Sequence, residues 1–591
     1  MRRILVLSLA LMALLGFVAP PDVLAQAAAP QPKFTITGLI DNVGTWTQNM
    51  STSDLNANRN RDHQMYGRTR GRFDIIGEVG QAKGVFGFEI DSYWGQTGFI
   101  DSNNGPGCST SGAAFSVTCG ATGAGSESSF DLNTDTAGNL QIKWLYTEFP
   151  MPLVPFSTIV RLGAQPLATA ASFKLATYAN GDFAGVNLYT TFSPTFKAQL
   201  TYVAIDENLL GKGAFGPFAT GTSTNQNKCQ NAAGAAITGC TPQSRGDNFA
   251  IIGSPEITVM KGLDIKPMFS HMSLQGLTSG STRAGRGGVS IAAGGPFAPT
   301  ATVAGADGAG TGIHELRNTV GLDARWRSGP WSVNPSFYYQ FGSQQKWNLG
   351  GLAAPYGNVN QKYTADISAF LGDVRADYQL GPLLLSAMTM FTTGQDAKSN
   401  PYKSIKYYQP LNTDTSYMAD WGTQIMSLGI DYYQIIGSAT GSNPGVTIGW
   451  DKYGRISSGV KASYAVTPAL TMGAGITPHW TWNKVDTDGY IVGGAGIQPS
   501  FVCRKTGNTC RPEGESNFLG TEFNVALTYR FAPGLTFDWA FGYMMTDSAM
   551  SHRYVGTDYV GGSATSNVAP VRKDIGVSDI AITTARVRFS F

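Results

Sequence analysis

Apolar and polar residues alternate with a period of two along much of this chain. At its end, Ala585, Val587, Phe589 and Phe591 share one face, and Arg586, Arg588 and Ser590 the other. Between 65 and 79 the odd positions read Gly67, Thr69, Gly71, Phe73 and Ile75, and the even positions Tyr66, Arg68, Arg70, Arg72 and Asp74. Over 313–328, Leu316, Val320, Leu322 and Trp326 oppose Arg317, Asp323, Arg325 and Arg327. Over 364–380, Val374, Ala376 and Tyr378 oppose Asp373, Arg375 and Asp377. Over 517–531, Phe523, Val525, Leu527 and Tyr529 oppose Glu522, Asn524, Thr528 and Arg530. Such alternation marks strands with one apolar and one polar face. A face with several arginines has no place in a dry core, but it can line water.

The connections between these segments alternate in length. Short turns with Gly or Pro fall at Gln81–Gly84, Ser193–Thr195, Lys261–Gly262, Ser328–Pro330, Gly381–Pro382, Thr467–Ala469 and Ala532–Gly534, with a longer Pro-rich version at Met151–Pro155. Gly and Pro form turns and are avoided inside strands. Polar stretches of roughly 17 to 60 residues separate the resulting hairpins. Eight short turns and nine long loops predict 18 strands, at 34–47, 65–79, 84–96, 139–150, 158–166, 183–192, 196–206, 247–260, 263–275, 313–328, 331–344, 364–380, 383–394, 455–466, 470–484, 517–531, 535–547 and 577–591. The even count puts both termini on the short-turn side. Residues 395–454 are ambiguous. Met418, Trp421, Ile425 and Leu428 have helical spacing, and Val446–Trp450 looks strand-like. The segment is read as one long loop with a helix, for which folding into the lumen is open. Two more strands, giving 20, are the alternative.

Composition narrows the class. Only 14% of the 591 residues are charged, while 73 are Gly and 11% aromatic. Trp326, Trp331, Tyr529, Phe531, Phe537 and Trp539 flank short turns, as expected of an aromatic girdle at a membrane–water interface. Met1-Arg2-Arg3, the uncharged run Ile4–Ala19 and Val23-Leu24-Ala25 read as a signal peptide over 1–25. No later segment is long and apolar enough for a transmembrane helix, and a protein that spans lipid without helices must close a barrel. The fold class is therefore all-β, a transmembrane antiparallel up-and-down barrel of about 18 strands, 16 to 20. It occupies 34–591 as one domain after a short segment at 26–33. A net charge of +2 suggests no nucleic-acid partner.

The cysteines form three close pairs, Cys108 with Cys119, Cys229 with Cys240 and Cys503 with Cys510, each in a polar loop. In an exported chain these read as disulfides. Metal binding is disfavoured, because CxxC spacing and nearby histidines are lacking. Enzymatic signatures are thin. His314-Glu315 begins an H-E-x-x-H, but position 318 is Asn. His63, His271, His314, His479 and His552 suggest no metal or catalytic constellation. No catalytic residue and no cofactor is assigned.

The C-terminal strand ending in Phe589 and Phe591 resembles that of bacterial outer-membrane β-barrels. In that family it closes the barrel and is read by the barrel-assembly machinery. Short turns then resemble periplasmic connections and long loops extracellular ones, and 26–33 a short periplasmic segment. The whole mature chain resembles a porin of Gram-negative type, and Arg68–Asp74 resembles the arginine-rich wall of porin constrictions. Charges facing lipid at mid-membrane would cost about 2–4 kcal/mol each for Arg or Lys. The polar faces therefore belong to the lumen. Arg68, Arg70, Arg72, Asp74, Glu89, Asp91, Lys143, Arg161, Arg317, Asp323, Arg325, Arg327, Asp373, Arg375 and Asp377 are the candidate pore-lining residues. Barrels of 16–18 strands leave an aqueous channel. The resemblance implies passive diffusion of small hydrophilic solutes or ions, with a weak anion preference from the basic lean of this set. Expected partners are outer-membrane lipid, the assembly machinery and the solute, with a homotrimer left open. A surface or adhesion barrel with a closed lumen is the alternative, and an enzyme at the rim a remote third.

Overall fold

A computed structural model of the chain describes residues 31–49, 63–94, 109–110, 117–118, 129–130, 140–167, 172–174, 177–206, 248–275, 312–348, 361–396, 399, 403–413, 421–427, 453–485, 491–493, 496–498, 514–550, 552–556, 571–575 and 578–591. Eighteen antiparallel strands form one closed sheet. They are β1 (Lys33–Gln48), β2 (His63–Val79), β3 (Ala82–Trp94), β4 (Leu140–Pro150), β5 (Ser157–Pro166), β6 (Asp182–Ser193), β7 (Phe196–Asp206), β8 (Asn248–Met260) and β9 (Leu263–Gln275). The others are β10 (Gly312–Ser328), β11 (Trp331–Asn348), β12 (Gln361–Leu380), β13 (Leu383–Thr392), β14 (Arg455–Ala465), β15 (Leu470–Val485), β16 (Ser516–Ala532), β17 (Leu535–Thr546) and β18 (Ile580–Ser590). Each pairs with its sequence neighbours. β1 also pairs with β18, from Leu39↔Ser590 to Gln48↔Ala581, which shuts the ring.

The expected count of 18 holds. β13 pairs directly with β14, from Leu383↔Tyr464 to Thr392↔Arg455, so no strand of 395–454 is inserted between them. Among the described residues of that stretch only Ser404–Ile405 joins the sheet, as a two-residue parallel ladder on Asp366–Ile367 of β12. Val446–Trp450 lies outside the described residues, as do the signal-peptide stretch 1–25 and all six cysteines. Two expectations are corrected. The first turn is Gly80-Gln81, not 81–84. Gly80 takes a left-handed φ of 61°, and Val79 pairs with Ala82, which leaves Lys83 and Gly84 in the ladder. The helix expected near Trp421 is not formed at the described residues. Described residues 421–427 run as turns and bends inside the barrel.

The two faces of the wall are inverted relative to a soluble protein. Outward positions include Phe34 at 72% exposure, Ile142, Leu145, Leu200, Phe269, Leu322, Phe337, Val374 and Val460, all exposed. Inward positions are buried and polar, among them Asp41, Arg68, Arg70, Glu89, Lys266, Arg317, Asp323, Asp373 and Glu522. Aromatic rings ring the short-turn end: Trp331 and Tyr378 lie 4.5 Å apart, and Phe156, Phe192 and Phe196 form a chain at 4.8 and 5.1 Å. The expected girdle is thus in place at Trp331.

Irregularities in the ladder need glycine. Gly342 in β11 has a φ of 143°. A Cβ there would run into the carbonyl oxygen of Leu316 on β10. Gly342→Ala should lower the unfolding free energy by about 1–3 kcal/mol, measured by urea denaturation in lipid.

Candidate functional site

The predicted residues fall into two groups on the inner wall. Eight of them occupy neighbouring strands β2 to β5. Arg70 lies opposite Asp91 and Arg72 opposite Glu89 in the β2–β3 register, so the arginine ladder meets an acidic ladder. Asp91 accepts from Arg68 at 2.8 Å and from Arg70 at 2.5 Å, and Glu89 accepts from Arg72. Arg68 is only 2% exposed, whereas the side chain of Arg72 is 36% exposed. The pairing with β4 slips between Gly87 and Phe88, leaving Lys143 as the extra residue of a bulge. Lys143 and Trp144 can then both reach Asp182 on β6, at 2.9 and 2.7 Å. Arg161 donates to Glu148 at 2.6 Å and sits 4.7 Å from the Tyr146 ring centroid. Lys83 meets the same carboxylate at 2.8 Å. Asp74 closes the patch beside Gly87, whose missing side chain leaves it room.

The other seven lie on β10 and β12, and most of them hold inward-folded chain. Asp323 is fully buried and accepts from Ser172 Oγ at 2.9 Å, the backbone N–H of Phe173 and Ser336 Oγ. Lys174 donates to Ser336 Oγ at 2.5 Å and stands 3.7 Å from both Asp323 and Asp373. Arg375 pairs with Asp373 at 3.0 Å. Residues 172–174, in the connection between β5 and β6, are thereby pinned across the lumen. Phe173 carries Arg325 4.5 Å from its ring, and Arg325 pairs with Asp264 at 2.8 Å. Arg317 bonds Glu315 and Gln340, each at 2.8 Å. Gln340 makes a two-way amide bond with the backbone of Gln409, donating at 2.6 Å and accepting at 3.0 Å, which fixes 403–413, in the connection between β13 and β14. Asp377 accepts from Ser386 at 2.6 Å. Asp377, whose partner is in the wall, and Arg327, exposed at the short-turn end, make no such contact with the inward segments among the described residues.

The two inward segments join each other. Asn412–Thr413 runs parallel to Ala179–Asn180 as a two-residue ladder. Leu411 N–H reaches Tyr178 O at 2.9 Å, and Tyr408 OH reaches Thr177 O at 2.9 Å. Tyr178, Tyr338, Tyr408, Leu411, Met388 and Met390 form an apolar cluster beneath the junction. A third stretch, 421–427, packs on β14 to β17, where Glu522 receives three consecutive backbone N–H groups.

Sequence reasoning placed Glu522 on a polar face but missed Lys174, Gln340, Gln409 and Lys461. None had a local signal, because their partners lie far off in the chain. The charged residues of β18 were legible only as a face: Arg588 pairs with Asp41 on β1 at 2.5 Å and Arg586 with Asp538 on β17 at 2.7 Å. Phe591 exchanges both backbone bonds with Gly38 at 3.0 Å, and its ring and that of Phe589 are half-exposed outside. Of the histidines, His271 bonds Asn318 at 2.8 Å and His479 is buried; the side chains of His314 and His552 lie outside the described set.

An 18-stranded barrel with an apolar exterior and a charged, partly filled interior defines the class: a β-barrel built to sit in a membrane. No protein-family model matches the chain, and no curated protein does. Similar solved structures include OccK8 (OprE) of Pseudomonas aeruginosa, 11% identical, covering 95% of this chain and 98% of that one at a TM-score of 0.44. The outer membrane protein OprD of the same organism is 9% identical over 96% and 95%, at 0.43. A BenF-like porin from Pseudomonas fluorescens Pf-5 is 8% identical over 95% and 98%, at 0.41.

Removing Asp91 would leave Arg68 and Arg70 buried without their shared carboxylate. Asp91→Ala should cost about 2–4 kcal/mol of stability, read as a lowered urea midpoint of the folded barrel.

Proposed function

We propose that this chain is an outer-membrane channel through which small hydrophilic solutes or ions diffuse passively. The observation that carries this reading is the inversion of the wall: charge and hydroxyls inside, Leu, Val, Phe and Trp outside. A ring of 18 strands is too wide for its own side chains to fill, so water occupies what the inward segments leave open. Export by a cleaved signal peptide, insertion through Phe589 and Phe591, and disulfides at Cys108–Cys119, Cys229–Cys240 and Cys503–Cys510 belong to the same proposal. Self-association as a trimer is compatible with it and carried by no contact.

A weak anion preference fits the β2–β5 patch. Arg68, Arg70, Arg72, Lys83, Lys143 and Arg161 face Asp74, Glu89, Asp91, Glu148 and Asp182, six cations to five carboxylates. The excess is one charge, and pairing screens the rest. Arg72 is more open to water than Arg68 or Arg70 and contributes most to selectivity. The surface-barrel reading draws its support from the apolar cluster that fills part of the interior.

Single-channel recording of the refolded mature chain under a salt gradient separates the two. Open steps with a reversal potential on the anion side are expected, and Arg72→Ser should shift that potential towards zero. A folded barrel that never opens would favour the surface reading, and cation selectivity would remove the anion preference.

A further inference from the structure

Glu522 on β16 has no exposed surface, yet it is acceptor to a single short piece of chain. Its Oε1 receives Gln424 N–H at 2.6 Å and Ile425 N–H at 3.0 Å, and its Oε2 receives Met426 N–H at 3.0 Å. Three successive backbone donors converging on one carboxylate form an anion nest, here filled by a side chain of the wall. His479 on β15 stands behind, with Nε2 3.6 Å from Oε2 and Nδ1 2.9 Å from Ser457 Oγ. The leading end of the same stretch is held by β14 and β15. Lys461 donates to Trp421 O at 2.7 Å and lies 4.5 Å from the Trp421 ring, while Trp421 Nε1 donates to Thr477 at 3.2 Å.

A second feature, independent of charge, fits the stretch to the wall. Gly542 on β17 faces inward, and a Cβ placed there would stand 2.8 Å from Gln424 Cβ. The wall is therefore polar where 421–427 must be gripped and bare where it must lie flat. The backbone pairing of β16 with β17, from Gly520↔Thr546 to Ala532↔Leu535, requires neither feature. The contact a Cβ at Gly542 would make with Gln424 is tighter than those with the wall side chains Asn524 and Ile582, at 3.1 and 3.2 Å.

We propose that Glu522 is the positioning residue that holds 421–427 against the inner wall and so sets the calibre of the lumen. This rests on the channel reading above. Releasing the stretch changes the cross-section available to solute without opening the barrel.

Glu522→Gln and Gly542→Val test it by different routes. The amide of Gln offers one acceptor oxygen, which cannot serve three donors, and Val removes the flat seat while Glu522 remains. Hydrogen–deuterium exchange should show the 424–426 amides opening about ten- to a hundredfold faster in Glu522→Gln, with the wall strands unchanged. Both variants should show conductance steps shifted from those of the wild type, with additional open levels. Unchanged exchange at 424–426 would overturn the grip. Released amides with wild-type steps, in a wild type that conducts, would overturn the role in calibre. A wild type that never conducts would sink the channel reading itself, whatever the amides do.

Discussion

A sheet surrounded by hydrocarbon has nowhere to leave an unpaired backbone group, and the pairing of β1 with β18 is what removes the last two edges. Everything else in the molecule follows from that closure. It sets the first and last strands side by side, from Leu39↔Ser590 to Gln48↔Ala581, and brings together side chains more than 500 positions apart. Arg588 finds Asp41, and Thr45 finds Thr584 at 3.2 Å. The terminal Phe591 is part of the seam through its bonds with Gly38. Once the ring is shut, each strand has an inside and an outside, and the period of two decides which residues meet lipid and which meet water.

The inside is then governed by pairing. Most of the buried guanidinium groups of the inner wall are answered by a carboxylate, as Asp91 answers Arg68 and Arg70 and Asp373 answers Arg375. Other wall charges are answered by backbone. Asp323 takes the N–H of Phe173, and Glu522 takes those of Gln424, Ile425 and Met426. Charge in this lumen thus has two uses. Some of it faces the water path, and some of it fastens chain that would otherwise have no reason to lie inside.

The sequence made the wall legible because the wall is local. Alternation, turn residues and the uneven spacing of hairpins are all read within a few residues, and they led to 18 strands. The first turn slipped because Gly80 and Gly84 both suit a turn, and only the φ of 61° at Gly80 decides between them. The lumen filling was not legible, for the opposite reason. Lys174 and Asp373 are about 200 positions apart, and no pattern near Lys174 announces the contact. The helix expected around Trp421 and Ile425 fails for a physical cause. Their spacing buries both, but the N–H groups that an α-helix would turn to its own carbonyls are taken by Glu522. Individual polar faces were readable, whereas their partners depend on register, which alternation leaves free.

The short parallel ladder between Asn412–Thr413 and Ala179–Asn180 makes the two long inward connections into a single arch. Each half springs from a different part of the wall, one fastened at Asp323 and the other at Gln340. As in masonry, load on one limb is carried by the other. The filling of this part of the barrel is a shared property of two stretches of sequence far apart along the chain, joined at Asn412–Thr413 and Ala179–Asn180.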